Sequence, residues 1–349
     1  MQKQKKFSPK VIFITGGAGF IGAHYINFLK ASPFTIINFD KLTYASNLNA
    51  LQEFANPSHY HFIQGDICDA NLVAQVLSDF NVDTIVHFAA ESHVDRSITD
   101  PKAFIEANVL GTYTLLETAK KLWQKNWALN PEHCRFHHVS TDEVYGALKK
   151  DEAAFTENSL YRPNSPYSAS KASSDHLVRA YFKTYNLPMT ISHCSNNFGP
   201  FQHAEKFIPT VIAACLKQKS IPLYGDGSQI RDWLYVEDHC SAIQTILETS
   251  VVGKTYNIGG DNELSNKSLA LLIAEKMDAL FPEKAAHADL ISYVTDRPGH
   301  DWRYAINSER LQQELGWRPS PNFSKNLDET IAHYLSILTE TDIAQTTTN

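Results

Sequence analysis

The sequence predicts an α/β protein: a doubly wound parallel sheet with a smaller, irregular α/β lobe set against it. Three observations carry this. Short apolar runs alternate with amphipathic stretches through the first half, a glycine-rich turn joins the first of each, and the alternation breaks after Asn197. Repeated strand–helix–strand units bury both faces of a sheet when the strands run parallel and helices cover each side.

The strands expected from β-branched and aromatic runs are Val11–Thr15, Thr35–Phe39, Tyr60–Gln64, Thr84–Phe88 and Arg135–Ser140. Between them the spacing predicts helices over Phe20–Lys30, Asn71–Phe80 and Ala103–Lys125. A long helix from Ser165 to Tyr185 and a strand at Met189–Cys194 follow. Beyond Asn197, Pro200, Pro209, Pro222, the Gly225-Asp226-Gly227 turn and Pro298 divide shorter elements. The expected division is a dinucleotide-binding unit over 1–196, with returns near 236–260 (Val236–Thr249 and Thr255–Ile258), and a substrate-binding lobe over 197–340.

Bulk composition narrows the function. The chain has 349 residues, 43% of them hydrophobic, and a net charge of −7. It lacks the basic footprint of a nucleic-acid binder, so anionic ligands must be met by a few placed cations or backbone amides. Cys68, Cys134, Cys194, Cys215 and Cys240 form no C-x-x-C pair and no metal-ligand spacing, which predicts thiols of a reducing compartment and no metal. No apolar run reaches the roughly eighteen residues of a membrane span, and the basic start lacks a signal-peptide core, so a cytoplasmic setting is expected. Met1–Lys10 and the polar end, 341–349, read as loose tails.

Gly16-Gly17-Ala18-Gly19-Phe20-Ile21-Gly22 follows the first strand and opens the first helix. Gly16 permits a tight turn, Gly19 lets the backbone approach a pyrophosphate, and Gly22 lets the helix pack close to the sheet. The helix N-terminus offers free N–H groups to phosphates. This is a Rossmann-type dinucleotide turn, and not a P-loop, since no Gly-Lys-Ser/Thr closes it. Asp40 ends the second strand, where a carboxylate accepts both ribose hydroxyls and repels a 2′-phosphate; the cofactor expected is NAD. Asp66, after the third strand, is placed to reach the adenine.

Tyr167 and Lys171 lie four apart, on one face of the long helix. An ammonium near a phenol favours phenolate, and bringing a tyrosine from about 10 to near neutral takes roughly 4 kcal/mol. Lys171 and a nicotinamide cation together are expected to supply that, making Tyr167 a base for a sugar hydroxyl. The fifth strand runs into Ser140-Thr141-Asp142-Glu143-Val144-Tyr145-Gly146, at the carboxyl edge where such sheets bind ligands. Thr141 can hydrogen-bond the reacting hydroxyl. Asp142 and Glu143 form an acid/base pair whose pKa values should split, one staying protonated. His87, His137 and His138 fall within strands and read as structural.

These motifs, with Ala89–Ser97, Pro166–Asp175, Cys194–Pro200, Arg231–Asp238 and Asp296–Asp301, resemble the extended short-chain dehydrogenase/reductase family and, within it, the dTDP-glucose 4,6-dehydratases, from Thr15 to about Pro319. The resemblance implies oxidation of a nucleotide sugar at C4 by tightly bound NAD, removal of the C5 proton by Glu143, protonation of the departing C6 hydroxyl by Asp142, and hydride return to C6. Tyr167 would be the redox base, assisted by Lys171 and Thr141. The product would be a 4-keto-6-deoxy sugar, as in deoxysugar (for example rhamnose) synthesis.

The resemblance also implies cofactor contacts at Phe20, Ile21, Asp40, Lys41, Leu42 and Thr43, at Asp66 and Ile67, and at Phe88, Ala89, Ala90, Glu91, Ser92 and Asn197. It implies substrate contacts at Ser92, Asn196 and Lys206, at Pro222, Leu223 and Tyr224, and at Arg231, Asn266, Asp296, Arg297 and His300. Arg231 and Arg297 suit a diphosphate, which guanidinium meets with a two-pronged fork. Two departures stand out: Phe198 replaces a frequent Tyr, and Ala107 a frequent Thr. Relatives pair as homodimers through the two long helices, and the same is expected here.

Other readings share the scaffold. A 4-epimerase needs no elimination acid and base, and a UDP-glucuronate decarboxylase lacks the Asp before the Glu. A non-catalytic NAD sensor would lack Tyr167 or Lys171. The base of the nucleotide, dTDP or UDP, stays open.

Overall fold

The computed structural model describes residues 7–51, 57–249 and 251–346. Seven parallel strands form the central sheet, in the spatial order Thr255–Ile258, Met189–Cys194, Arg135–Thr141, Thr84–His87, Val11–Thr15, Thr35–Asp40 and Tyr60–Gln64. The order reverses direction between Val11–Thr15 and Thr84–His87, which opens a crevice at their carboxyl ends. The alternating sequence builds this because both sheet faces are covered. One core packs Phe13, Ile37, Ile85 and Phe136 under the helices Ala70–Asp79, Thr112–Trp127 and Pro166–Tyr185. The other packs Ile12, Ile14, Ile36 and Val86 under Phe20–Leu29 and Val236–Thr249.

The second lobe has its own core, around Phe198, Ile212, Leu223, Trp233 and Leu269. Two small sheets frame it: Glu263–Ser265, Ile230–Tyr235 and Asn196–Phe198, and the pair Ile221–Tyr224 with Ile291–Val294. No helix among the described residues is long and apolar enough to cross a membrane.

Three expectations are corrected. The region Ala103–Lys125 is not one uniform α-helix: Pro101–Phe104 leads into a π-helical segment, Ile105–Gly111, before Thr112–Trp127. That segment turns Asn108 inward, where its amide oxygen accepts the Glu91 N–H at 2.8 Å and its NH2 donates to the Ser170 hydroxyl at 2.8 Å. The N-terminal stretch is not loose as far back as Phe7, which is buried, donates its N–H to the Glu248 carbonyl and lies under the Arg135 guanidinium; residues 1–6 lie outside the described residues. The C-terminal tail is helical to Thr346, within Phe323–Thr346; 347–349 lie outside the described residues.

Candidate active site

The crevice is a cleft of about 640 Å³, within the range of small-molecule sites. Gly16, Gly19, Phe20, Ile21 and Gly22 line one end, with Asp40, Lys41, Thr43, Asp66 and Ile67. The turn is built for close approach. A Cβ on Gly22 would stand 2.2 Å from the Gly16 carbonyl oxygen, and one on Gly16 would stand 2.7 Å from the Ala89 nitrogen. Asp40 is buried and accepts N–H bonds from Ala18 (2.9 Å) and Leu42 (2.8 Å) and the Ser46 hydroxyl (2.9 Å), so its carboxylate is fixed at the strand end. Leu42, with φ of 59°, takes part through this amide. Lys41 pairs with Asp66 at 2.7 Å. Burial works to raise Asp66, but the Lys41 and Cys68 hydrogen bonds outweigh it and hold the carboxyl below its usual range. A narrow turn of N–H groups, a fixed carboxylate and an elongated cleft fit a dinucleotide carrying a free ribose.

Phe88, Ala89, Ala90, Glu91 and Ser92 line the cleft at the end of the fourth strand, and Asn196, Asn197 and Lys206 line it too. Asn197 is locked by His239, whose Nδ1 lies 2.8 Å from its amide oxygen, and by its own NH2 bond to the Ser195 carbonyl. Lys206, at the start of Phe207–Leu216, is half-buried among Glu205, Glu143 and Asp95, and desolvation pulls its ammonium below the ordinary value.

Thr141, Asp142, Glu143, Tyr167 and Lys171 line the same cleft. The strand end and the short 3-10 turn Asp142–Tyr145 place the first three, with the Thr141 hydroxyl accepting the Glu143 N–H at 3.3 Å. Helix Pro166–Tyr185 places the other two; Ser165 caps it by accepting the Ser168 N–H, and Ser168 answers with a bond from the Ser165 N–H. Burial, then the charge of Glu143, pushes Asp142 well above the carboxylate range. Burial also raises Glu143, against the pull of Arg231, Arg297 and Lys206. The pair is therefore a two-carboxylate site in which burial biases both groups toward their protonated forms, Asp142 the more strongly.

Lys171 Nζ donates to the Val139 carbonyl at 2.9 Å. Burial and the Glu143 charge push the Tyr167 phenol well above its usual value, the Thr141 hydrogen bond pulling the other way.

The remaining residues divide. Arg231 is not an open fork: its guanidinium donates to the carbonyls of Ile230 (2.7 Å) and Asp301 (3.0 Å) and lies 4.3 Å from the Tyr304 ring centre. Arg297 pairs with Asp95 at 3.0 Å. Both guanidiniums act on Glu143, which places them beside the acid/base turn. The Leu223 side chain lies in the second-lobe core, so any ligand contact there falls to its backbone, whereas Pro222 and Tyr224 face outward. Tyr224 meets His300 edge-on, His300 Nδ1 is 2.6 Å from Asp296, and Gln229 bonds both the other Asp296 oxygen and, through its carbonyl, the Asn266 N–H.

Sequence reasoning missed Asn108 and Cys194, and gave Ser140 no individual role within the strand-end segment it expected at the site. The Ser140 hydroxyl is buried on the cleft wall with no protein partner, and the Cys194 thiol donates to the Ser140 carbonyl at 3.4 Å. Cys194 lies opposite Thr141 through the strand register, which the sequence does not print. Of the expected structural histidines, His87 meets Thr15 (2.7 Å) and Thr112 (3.0 Å), His137 meets Thr190 and Ser192, and His138 meets Asp175 at 3.2 Å.

Residues 13–330 match the family described as GDP-mannose 4,6 dehydratase. The chain is 47% identical to the dTDP-glucose 4,6-dehydratase of Salmonella typhimurium strain LT2, over 93% of this chain and 92% of the relative. It is 48% identical to dTDP-glucose 4,6-dehydratase 1 of Escherichia coli K12, with the same coverage. Its fold superimposes on DesIV, a dTDP-glucose 4,6-dehydratase from Streptomyces venezuelae solved with NAD and TYD bound. The TM-score is 0.83 and the identity 42%, over 93% of this chain and 97% of that one.

Proposed function

The chain belongs to the dTDP-glucose 4,6-dehydratase family, and on that premise we propose that its cleft holds NAD and converts dTDP-glucose to dTDP-4-keto-6-deoxy-glucose and water. One observation carries this reading: a single cleft is lined by the glycine turn and Asp40 at one end and by Thr141, Asp142, Glu143, Tyr167 and Lys171 at the other. A plain dehydrogenase or epimerase has no use for the second pair of titratable groups.

NAD bound in this cleft would supply the redox chemistry, as acceptor of the C4 hydride and donor of hydride to C6. Asp40 holds the adenosine ribose, and the Gly16–Gly22 turn holds the pyrophosphate. Tyr167 takes the C4 hydroxyl proton, with Thr141 orienting that hydroxyl and Lys171 stabilising the phenolate. The resulting ketone acidifies the C5 proton, which Glu143 removes; a proton is returned to C5 once hydride has reached C6. Asp142, held protonated by burial, gives its proton to the C6 hydroxyl, which leaves as water. Lys206, Arg231 and Arg297 supply positive charge for the diphosphate around this turn, Arg231 as a fixed rather than a reaching cation. Asn196, Asn266, Tyr224, Asp296 and His300 form the nucleotide end.

In the same reading, residues 1–196 with returns near 236–260 hold the cofactor, and 197–340 hold the nucleotide sugar. Two copies pair through the helical stretch 101–127 and Pro166–Tyr185, whose exposed Ile105, Leu110, Tyr113 and Tyr185 suit burial against a second copy. A monomeric mass by light scattering at micromolar protein removes the dimer. The five free cysteines, four of them buried, suit a reducing cytoplasm.

The activity is tested by mass spectrometry of the sugar nucleotide after incubation with purified protein and NAD, offering dTDP-glucose and UDP-glucose in parallel. Loss of one water from dTDP-glucose without net reduced cofactor is the expected result. Loss from UDP-glucose alone changes the nucleotide, and an unchanged mass with both overturns the reading.

A further inference from the structure

Helix Pro166–Tyr185 carries a third buried ionisable group, Asp175, one turn beyond Lys171 and two beyond Tyr167. It lies outside the cleft lining, and the chemistry above does not use it. Its carboxylate is completely buried, where an isolated charge is costly, and three elements converge on it. His138 Nε2 from the fifth strand is 3.2 Å away, His193 Nε2 from the sixth is 2.9 Å away, and Tyr161 donates its hydroxyl at 2.9 Å.

Two routes lead from this carboxylate to reacting residues. The first is electrostatic. Lys171 and Asp175 are successive inward residues of one helix face, and they land on adjacent residues of one strand: Lys171 on the Val139 carbonyl, Asp175 on His138. The groups facing Lys171 are Asp175, Cys194, His87 and His138. Cys194 is held as a neutral thiol, pushed up to about 12 by burial. The two histidines are held neutral below their usual range, again by burial first. Among the described residues Asp175 is thus the one anion facing the buried ammonium, and it opposes the desolvation that would strip the proton from Lys171. The second route is mechanical. His193 passes from Asp175 to the Tyr145 hydroxyl, 2.8 Å from its Nδ1, and Tyr145 donates to Asn257 at 2.9 Å. Tyr145 ends the turn that begins with Asp142 and Glu143.

We propose that Asp175 is a positioning residue for the reaction: its carboxylate keeps Lys171 charged and, through His193 and Tyr145, fixes the Asp142–Glu143 turn against the helix that carries Tyr167. This rests on the dehydration proposed above. The acid/base turn and the redox helix come from segments more than twenty residues apart, and this buried chain makes them one rigid unit.

The test compares wild type, Asp175→Asn and Tyr145→Phe for turnover against pH, retained NAD and transient reduced cofactor. Asp175→Asn keeps the shape and removes the charge. It should keep its NAD and its KM, lose about ten- to a hundredfold in kcat, and move the alkaline limb of kcat down by about one to three pH units as Lys171 deprotonates earlier. Tyr145→Phe should leave that limb in place and let reduced cofactor accumulate, because oxidation proceeds while the loosened turn slows water loss. A lower melting temperature in Asp175→Asn with an unmoved pH profile would show a merely structural role and overturn the electrostatic half. Unchanged partitioning in Tyr145→Phe overturns the mechanical half. Should Asp175→Asn not fold, the ammonium resonance of 15N-labelled Lys171 in wild type decides: a neutral Lys171 at the pH of peak activity sinks the proposal. Wild type failing to release water from dTDP-glucose would instead sink the function, while the Lys171 resonance would still report on Asp175.

Discussion

The Lys171 ammonium donates to the main-chain carbonyl of Val139, 2.9 Å away, two residues before Thr141. The bond pins the helix of Tyr167 to the strand whose end carries the acid/base turn. Lys171→Met keeps the stem, removes the charge and leaves a buried carbonyl without its donor. It should lower stability by about 1–3 kcal/mol. Turnover should fall about 10²- to 10⁴-fold, the range for losing assistance to a positioned base. Thermal melting and steady-state turnover on dTDP-glucose check the two effects separately; unimpaired turnover would remove Lys171 from the chemistry.

Asp142 and Glu143 are both raised by burial, and they answer pH in opposite senses. In the proposed chemistry Asp142 is the acid, so its contribution is lost as pH rises through its elevated pKa. Glu143 is there the base, so its contribution is lost as pH falls through its own raised value. The water-loss step should therefore show a bell whose acid limb lies above the ordinary glutamate range. Asp142→Asn and Glu143→Gln should retain NAD and the first oxidation while losing about 10²- to 10⁴-fold in water release. Single-turnover absorbance of reduced cofactor, read beside product mass, checks this; equal loss of both half-reactions would mean that the pair serves oxidation as well.

The parts of this molecule legible in sequence are those that depend on local order. Val11–Thr15 and Met189–Cys194 coincide with the expected strands because their apolar runs are bounded by turn residues. The glycine turn is legible because each glycine answers a local steric demand. Asn108 was not, since a π-helical segment re-aims it and the 3.6-residue period conceals that shift. Cys194 reaches the site through a strand register, and the Arg231 fork is filled by the neighbouring Ile230 carbonyl and by that of Asp301, seventy residues away in sequence; neither relation is a pattern along the chain. Leu223 shows the converse, a residue of an expected binding segment whose side chain alternation turns into the core.

Gly22 and Gly316 make a matched pair for the dinucleotide turn. A Cβ at Gly22 meets backbone on two sides, at 2.2 Å and 2.8 Å, so helix and turn must separate. Gly316, with φ of 76°, has nothing within 4 Å of its would-be Cβ. Gly22→Ala should abolish NAD retention through desalting. Gly316→Ala should cost about 1–2 kcal/mol from its left-handed backbone alone and keep its NAD. Retained NAD in Gly22→Ala would mean that the turn yields more easily than its contacts indicate.

Buried histidines set the acid side of stability. Burial holds His137 down at about 3 and His239 at about 3, and burial, followed by the Lys171 charge, holds His138 at about 4, against an ordinary value of 6.5. With the folded values below the unfolded one, the native state binds fewer protons. Their stabilisation is complete above about 6.5 and drains away as pH falls through the folded values. His137 accepts or donates to the Thr190 and Ser192 hydroxyls at 2.9 and 3.1 Å, roles an amide can share without taking up a proton. His137→Gln should therefore lose stability near neutrality and decline less steeply below it, by about 1.4 kcal/mol per pH unit for the one proton removed. Asp142, Asp175 and the other carboxylates titrate alike in both proteins and cancel in the difference. Urea unfolding at a series of pH values from neutral downward measures it, and parallel curves for the two proteins would show that His137 takes no part in the acid transition.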